Sequence, residues 1–192
     1  MGIYEVGQAV SRLFLSSSYN VKIIGKENIP NEGGVILCCN HISNFDPPLL
    51  GAYITRKVHY MAKQELFEKP VLKGLLPKLG AFPVRRGMSD KQALRTALTL
   101  LKNGEMIGLF PEGTRSKNGQ LGKGMAGAGF FALRSNATVV PCAIIGPYKR
   151  NTLILVYGKP IDFTDMKENK ATAEDATELI MKEIKHLIET TN

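Results

Sequence analysis

Apolar positions along this chain fall either at helical spacing or in short continuous runs. Ile3, Val6, Val10, Leu13 and Phe14 fall close to every 3.6 residues, which predicts an amphipathic helix over residues 1–18. Its polar side carries Arg12 as the one base, so the stripe has two readings on spacing alone: it packs on the rest of the chain, or it lies in a membrane interface. Residues 89–103 predict a second helix, with Ser89 as N-cap, Ala93, Leu94, Ala97, Leu98 and Leu101 on one face, and Gly104 as its stop. A third covers about 172–189, with Ala176, Leu179, Ile180, Ile184, Leu187 and Ile188 inward.

Between these lie short apolar runs. Residues 21–24, 35–39, 58–61, 81–84, 106–110, 138–140 and 153–156 read as strands, and 35–39 as a central buried one. Pro47-Pro48 opens a short helix toward Tyr53, residues 64–79 mix helical turns with Pro70 and Pro77, and a further helix is predicted near 126–134. Strands alternating with helices predict an α/β fold: a single domain over 1–192, with a central mixed, mostly parallel sheet flanked by helices and an amphipathic N-terminal helix.

Composition narrows the class. A chain of 192 residues that is 44% hydrophobic fills one core. Three cysteines, two of them adjacent in an apolar run, argue against a disulfide framework and offer no zinc spacing. No stretch of about 18 apolar residues is present to span a bilayer. The first residues do not read as a secretory leader, and Val6 stands where a myristoylation signal needs Ser or Thr.

The formal net charge is +8, and it is local: Arg56, Lys57, Lys63, Lys69, Lys73, Lys78, Arg85 and Arg86 face only Glu65 and Glu68 in residues 56–86. Such a stretch is either a solvated surface or a face for an anionic partner. Nothing in it interleaves bases with aromatics on a helix, so a nucleic-acid partner is not expected.

Three polar clusters follow apolar strands: Asn40-His41 through Asp46, Arg85-Arg86, and Pro111-Glu112-Gly113-Thr114-Arg115-Ser116. In open α/β sheets, ligands bind beyond the carboxyl ends of strands, so the clusters converge if their strands are parallel neighbours. His41 is a candidate general base, with Asp46 orienting its ring. The alternatives are a structural histidine, and an Asp46 that caps the helix opened by Pro47. Arg85 and Arg86 offer planar forks for phosphate or carboxylate, though adjacent residues in an extended segment point to opposite faces. Glu112 and Arg115 flank a turn, and read either as ligands or as a salt-bridged pair. Gly122, Gly124 and Gly127 match a dinucleotide glycine pattern, but they follow a polar loop rather than a strand, so a mobile loop is the better reading. His59 and His186 read as structural.

These clusters resemble the motifs of the glycerolipid acyltransferase family: Asn40-His41 with Asp46; Gly80, Phe82 and Arg86; Phe110 through Ser116; and a Val140-Pro141 turn after a strand. They occur in family order over residues 40–141. Length and the lack of a spanning helix look most like the family's bacterial 1-acylglycerol-3-phosphate acyltransferases. Arg85 stands where relatives often carry an acid, and Met125 where many carry a lysine. The resemblance implies transfer from acyl-CoA or acyl carrier protein to the sn-2 hydroxyl of lysophosphatidic acid, giving phosphatidic acid for phospholipid synthesis. Glycerol 3-phosphate or another lysophospholipid is the alternative acceptor, and non-catalytic binding of anionic lipid a further one. It implies His41 as base, Asp46 as its partner, Arg86 and Arg115 on the acceptor phosphate, Glu112 near the glycerol, and Gly113 and Thr114 in the same site. No metal or bound cofactor is implied. The expected location is peripheral or monotopic, on the anionic cytoplasmic face of the cell membrane.

Overall fold

The structure is a computed structural model that describes residues 2–85, 90–116, 118–148 and 152–191. One seven-stranded sheet organises it: β1 (Asn20–Ile24), β2 (Val35–Cys39), β3 (Val58–Lys63), β4 (Ala81–Val84), β5 (Met106–Leu109), β6 (Thr138–Ile145) and β7 (Thr152–Tyr157), in the order β1-β7-β6-β2-β5-β3-β4. Every neighbouring pair is parallel except β6 and β7. The sheet is therefore mixed and mostly parallel, as the alternation predicted. β2 through β6 point one way, and β7 and β1 return.

β2 is buried at all five positions, as a central strand covered on both faces must be. Its pleat divides the core. Val35, Leu37 and Cys39 join Leu15, Leu49 and Leu50 on the side of α1 (Ile3–Ser18) and α2 (Asp46–Ala52). Ile36 and Cys38 face α4 (Lys91–Lys102), α5 (Gly127–Arg134) and α7 (Ala173–Thr190) with Ala97, Phe131, Ala176, Ile180 and Ile184. The short α3 (Pro70–Leu75) and α6 (Thr164–Glu168) complete the elements.

Several expectations shift in detail. The N-cap of α4 is Asp90, whose carboxylate accepts from the N–H groups of Gln92 and Ala93; the predicted cap Ser89 lies outside the described residues. Val140-Pro141 is not a turn. β6 runs on through Pro141 to Ile145. The ladder to β7 ends at Cys142 opposite Tyr157, so no partner there needs the N–H that proline lacks. The predicted stripe of α1 faces outward, and the helix packs through its other side. There Leu15 is buried, Gln8 donates to the carbonyls of Gly51 and Ile54, and Arg12 donates to that of Ala52. Arg56 likewise leaves the basic face, giving its guanidinium to the carbonyls of Pro30, Gly33 and Gly104.

Candidate active site

β2 and β5 are neighbours and parallel, so the segments after them emerge side by side. His41 follows β2 and Glu112 follows β5. The backbone N–H of His41 donates to Glu112 Oε1 at 2.8 Å, and the N–H of Ser116 donates to the His41 carbonyl at 2.7 Å. The first and third polar clusters therefore converge. The second follows β4, which β3 separates from β5.

His41 Nδ1 lies 2.6 Å from Asp46 Oδ2. The same oxygen accepts the backbone N–H groups of Ile42 and Ser43, each at 2.7 Å. Oδ2 surrounded by N–H donors is an acceptor, so Nδ1 carries the proton and Nε2 keeps the lone pair. Nε2 makes no hydrogen bond to a described residue, and no buried side-chain N or O atom among them lacks a partner, so Nε2 opens to solvent. The ring is also stacked on Phe110, with centroids 4.2 Å apart. Asp46 is fully buried and starts α2, but its side chain caps nothing; it turns back onto the His41 loop instead. The capping alternative for Asp46 therefore fails.

Glu112 is buried, with Oε1 on the His41 N–H and Oε2 on that of Gly122 at 2.8 Å. It makes no ion pair with Arg115, so the salt-bridged turn does not form. Gly113 has φ of +67°, and a side chain there would run into the Met125 sulfur, so the turn needs glycine. Thr114 and Arg115 are exposed beyond it, and Arg115 pairs with no carboxylate among the described residues. Arg85 is tied to the α4 cap: its N–H donates to Asp90 Oδ2 at 2.9 Å. Arg86 lies outside the described residues. His59 is structural, with Nδ1 at 3.1 Å from the Gly80 carbonyl and Nε2 near Glu105, and burial pushes its pKa down.

Two further residues contribute in ways that residue type and spacing do not assign. Asn40, read only as part of a motif, pairs reciprocally with the backbone of Ile144 on β6, its amide donating at 2.9 Å and its oxygen accepting at 2.8 Å. Tyr148 donates its hydroxyl to Asp46 Oδ1 at 2.7 Å, across 102 residues of sequence. Among the described residues, no group of three His, Cys, Asp or Glu side chains is placed to hold a metal ion.

A buried carboxylate fixing an imidazole, whose other nitrogen is open, is the arrangement of a general base for a hydroxyl. Comparison with known proteins places the chain in a family. The acyltransferase family model matches residues 20–145. The 1-acyl-sn-glycerol-3-phosphate acyltransferase of Bacillus subtilis (strain 168) is 34% identical over 199 residues, covering 97% of this chain and 99% of that protein. The protein of that name from Streptococcus pneumoniae is 28% identical over 93% of this chain and 70% of its own. Among solved structures, the 1-acyl-sn-glycerophosphate (LPA) acyltransferase PlsC of Thermotoga maritima superposes with a TM-score of 0.78 at 25% identity, over 99% of this chain and 80% of that one. With the family model matching residues 20–145 and a relative 34% identical over 97% of this chain, the chain belongs to the acyltransferase family.

Proposed function

We propose that the protein transfers an acyl group from an acyl thioester to the sn-2 hydroxyl of lysophosphatidic acid, giving phosphatidic acid. The observation that carries this reading is the His41–Asp46 pair, closed at 2.6 Å with Nε2 left open. In this mechanism Nε2 takes the proton of the acceptor hydroxyl as its oxygen attacks the thioester carbonyl. The new C–O bond forms, the C–S bond breaks, and the imidazolium returns the proton to the departing thiolate. Asp46 keeps the tautomer and stabilises the imidazolium. The alcohol attacks directly, so no covalent enzyme intermediate, metal or bound cofactor is needed.

Arg115, exposed and without a described partner, holds the acceptor phosphate together with Arg86. Gly113 and Thr114 line the same turn. Glu112 meets the acceptor glycerol with the lone pairs that its two backbone donors leave over.

The donor is acyl-CoA or acyl carrier protein, and the enzyme works on the anionic cytoplasmic face of the cell membrane as a peripheral or monotopic protein. Support for the membrane contact comes from the outward stripe of α1, where Val10 is 61% and Leu13 74% exposed. That stripe continues through Phe14, whose ring is 5.4 Å from that of Phe45 in the His41–Asp46 loop. Apolar surface thus runs up to the base, and the exposed Lys63, Lys69, Lys73 and Lys78 suit an anionic headgroup layer. Among the described residues no helix is long and apolar enough to cross a membrane.

The test is acyl transfer by purified protein with lysophosphatidic acid, glycerol 3-phosphate and a neutral lysophospholipid as acceptors, and acyl-CoA and acyl carrier protein as donors. Wild type is expected to form phosphatidic acid, and His41→Ala to lose turnover by at least about 10²–10⁴-fold with its fold intact. A near wild-type rate in His41→Ala would sink the base assignment. Product from another acceptor alone would move the substrate.

A further inference from the structure

We propose that Tyr148 is a positioning residue of this acyltransfer site, fixing Asp46 from the side opposite His41. The inference rests on His41 acting as the base. The Asp46 carboxylate has two oxygens with separate duties. Oδ2 receives His41 and the N–H groups of Ile42 and Ser43, all from one loop. Among the described residues, Oδ1 receives only the Tyr148 hydroxyl at 2.7 Å, from 102 residues further along the chain. The three donors on Oδ2 leave the carboxylate free to rock about that oxygen; a hydrogen bond on Oδ1 removes the rotation, and with it the play in His41.

The fold brings Tyr148 there by a specific route. Asn40, the residue before His41, clamps both backbone groups of Ile144 near the end of β6. Gly146 then turns the chain with φ of +104°, where a side chain would collide with the Thr152 carbonyl. Two residues later Tyr148 returns over the sheet edge to Asp46. Asn40 and Tyr148 thus clamp the His41–Asp46 loop to the same strand end, one from each side. The Tyr148 ring is held edge-on by Tyr19 at 5.5 Å and lies 6.1 Å from Phe45. Burial and the adjacent Asp46 charge both push the Tyr148 pKa far up, so the hydroxyl remains a donor throughout the working pH range. Among the described residues, the buried Cys39 thiol, raised well above its usual pKa by burial, also lies near Asp46, and Glu112 holds the His41 backbone N–H.

Tyr148→Phe separates the hydroxyl from the ring, since phenylalanine preserves the packing on Tyr19 and Phe45. With one donor gone, the Asp46 charge is less dispersed and holds imidazolium more tightly. The acid limb of kcat/KM is expected to move to higher pH by about half a unit, while kcat falls about tenfold. KM for the acceptor and the melting temperature are expected to stay near wild type. His41→Ala runs alongside as the inactive reference. If Tyr148→Phe keeps the wild-type kcat and pH profile while His41→Ala is inactive, Tyr148 is idle and the base assignment stands. If His41→Ala retains full activity, both readings fall together. A rise in acceptor KM with an unmoved pH profile would make Tyr148 a substrate contact and overturn the positioning role.

Discussion

α1 and α7 are both amphipathic helices with a clear 3.6-residue stripe, and the molecule uses them in opposite ways. α7 turns Ala176, Ile180 and Ile184 into the core beneath β2 and shows its charges to solvent. It begins with a capping box, Thr172 accepting the Asp175 N–H while the Asp175 side chain accepts that of Thr172. α1 buries only Leu15, has Gly2 as an N-cap without side-chain support, and docks through Gln8 and Arg12. Its stripe faces away from the fold. The same periodicity thus serves two purposes: in α7 it holds the protein together, and in α1 it supplies apolar surface beside the site that folding does not consume.

This contrast can be broken from either side. The largest effect belongs to Ile180→Ala, which empties a fully buried position. It is expected to cost about 2–5 kcal/mol of unfolding free energy by denaturant titration, with vesicle binding unchanged in the folded fraction. Val10→Glu with Leu13→Glu should do the reverse. Their exposure predicts a stability change within about 0.5 kcal/mol, but roughly 100-fold weaker flotation with anionic vesicles, following the apolar area withdrawn from the interface. A large loss of stability there would place the stripe in the core economy after all. The smallest effect is Thr172→Ala, which removes the α7 cap. It should lower stability by about 1 kcal/mol and the melting temperature by about 2–4 °C, without touching vesicle affinity.

The candidate site was legible in unequal parts. His41 and Asp46 stood out because a histidine and a carboxylate followed a buried apolar strand, and the Glu112–Arg115 turn stood out in the same way. Their meeting depended on β2 and β5 being parallel neighbours, which no local pattern encodes. The residue type of Glu112 suits a substrate contact or a pair with Arg115, and the fold gives its oxygens two backbone donors instead, one N–H from each of the loops after β2 and β5. The course of β6 past the Val140-Pro141 pair has no local signal, because the tolerance of a proline in a strand depends on where β7 stops pairing.

Local pattern alone settles the order of the main helices and strands, the burial of β2, the three amphipathic helices and the chemistry available at each strand end. Those features follow from periodicity and residue type within a few neighbours. The direction of the α1 stripe, the reversal of β1 and β7 against the other strands, and the hydrogen bonds of Asn40 to Ile144 and of Tyr148 to Asp46 are set in the tertiary structure alone. These depend on contacts between residues far apart in the chain, where the need to pair buried polar groups and fill one core selects a single arrangement from many that the local pattern allows.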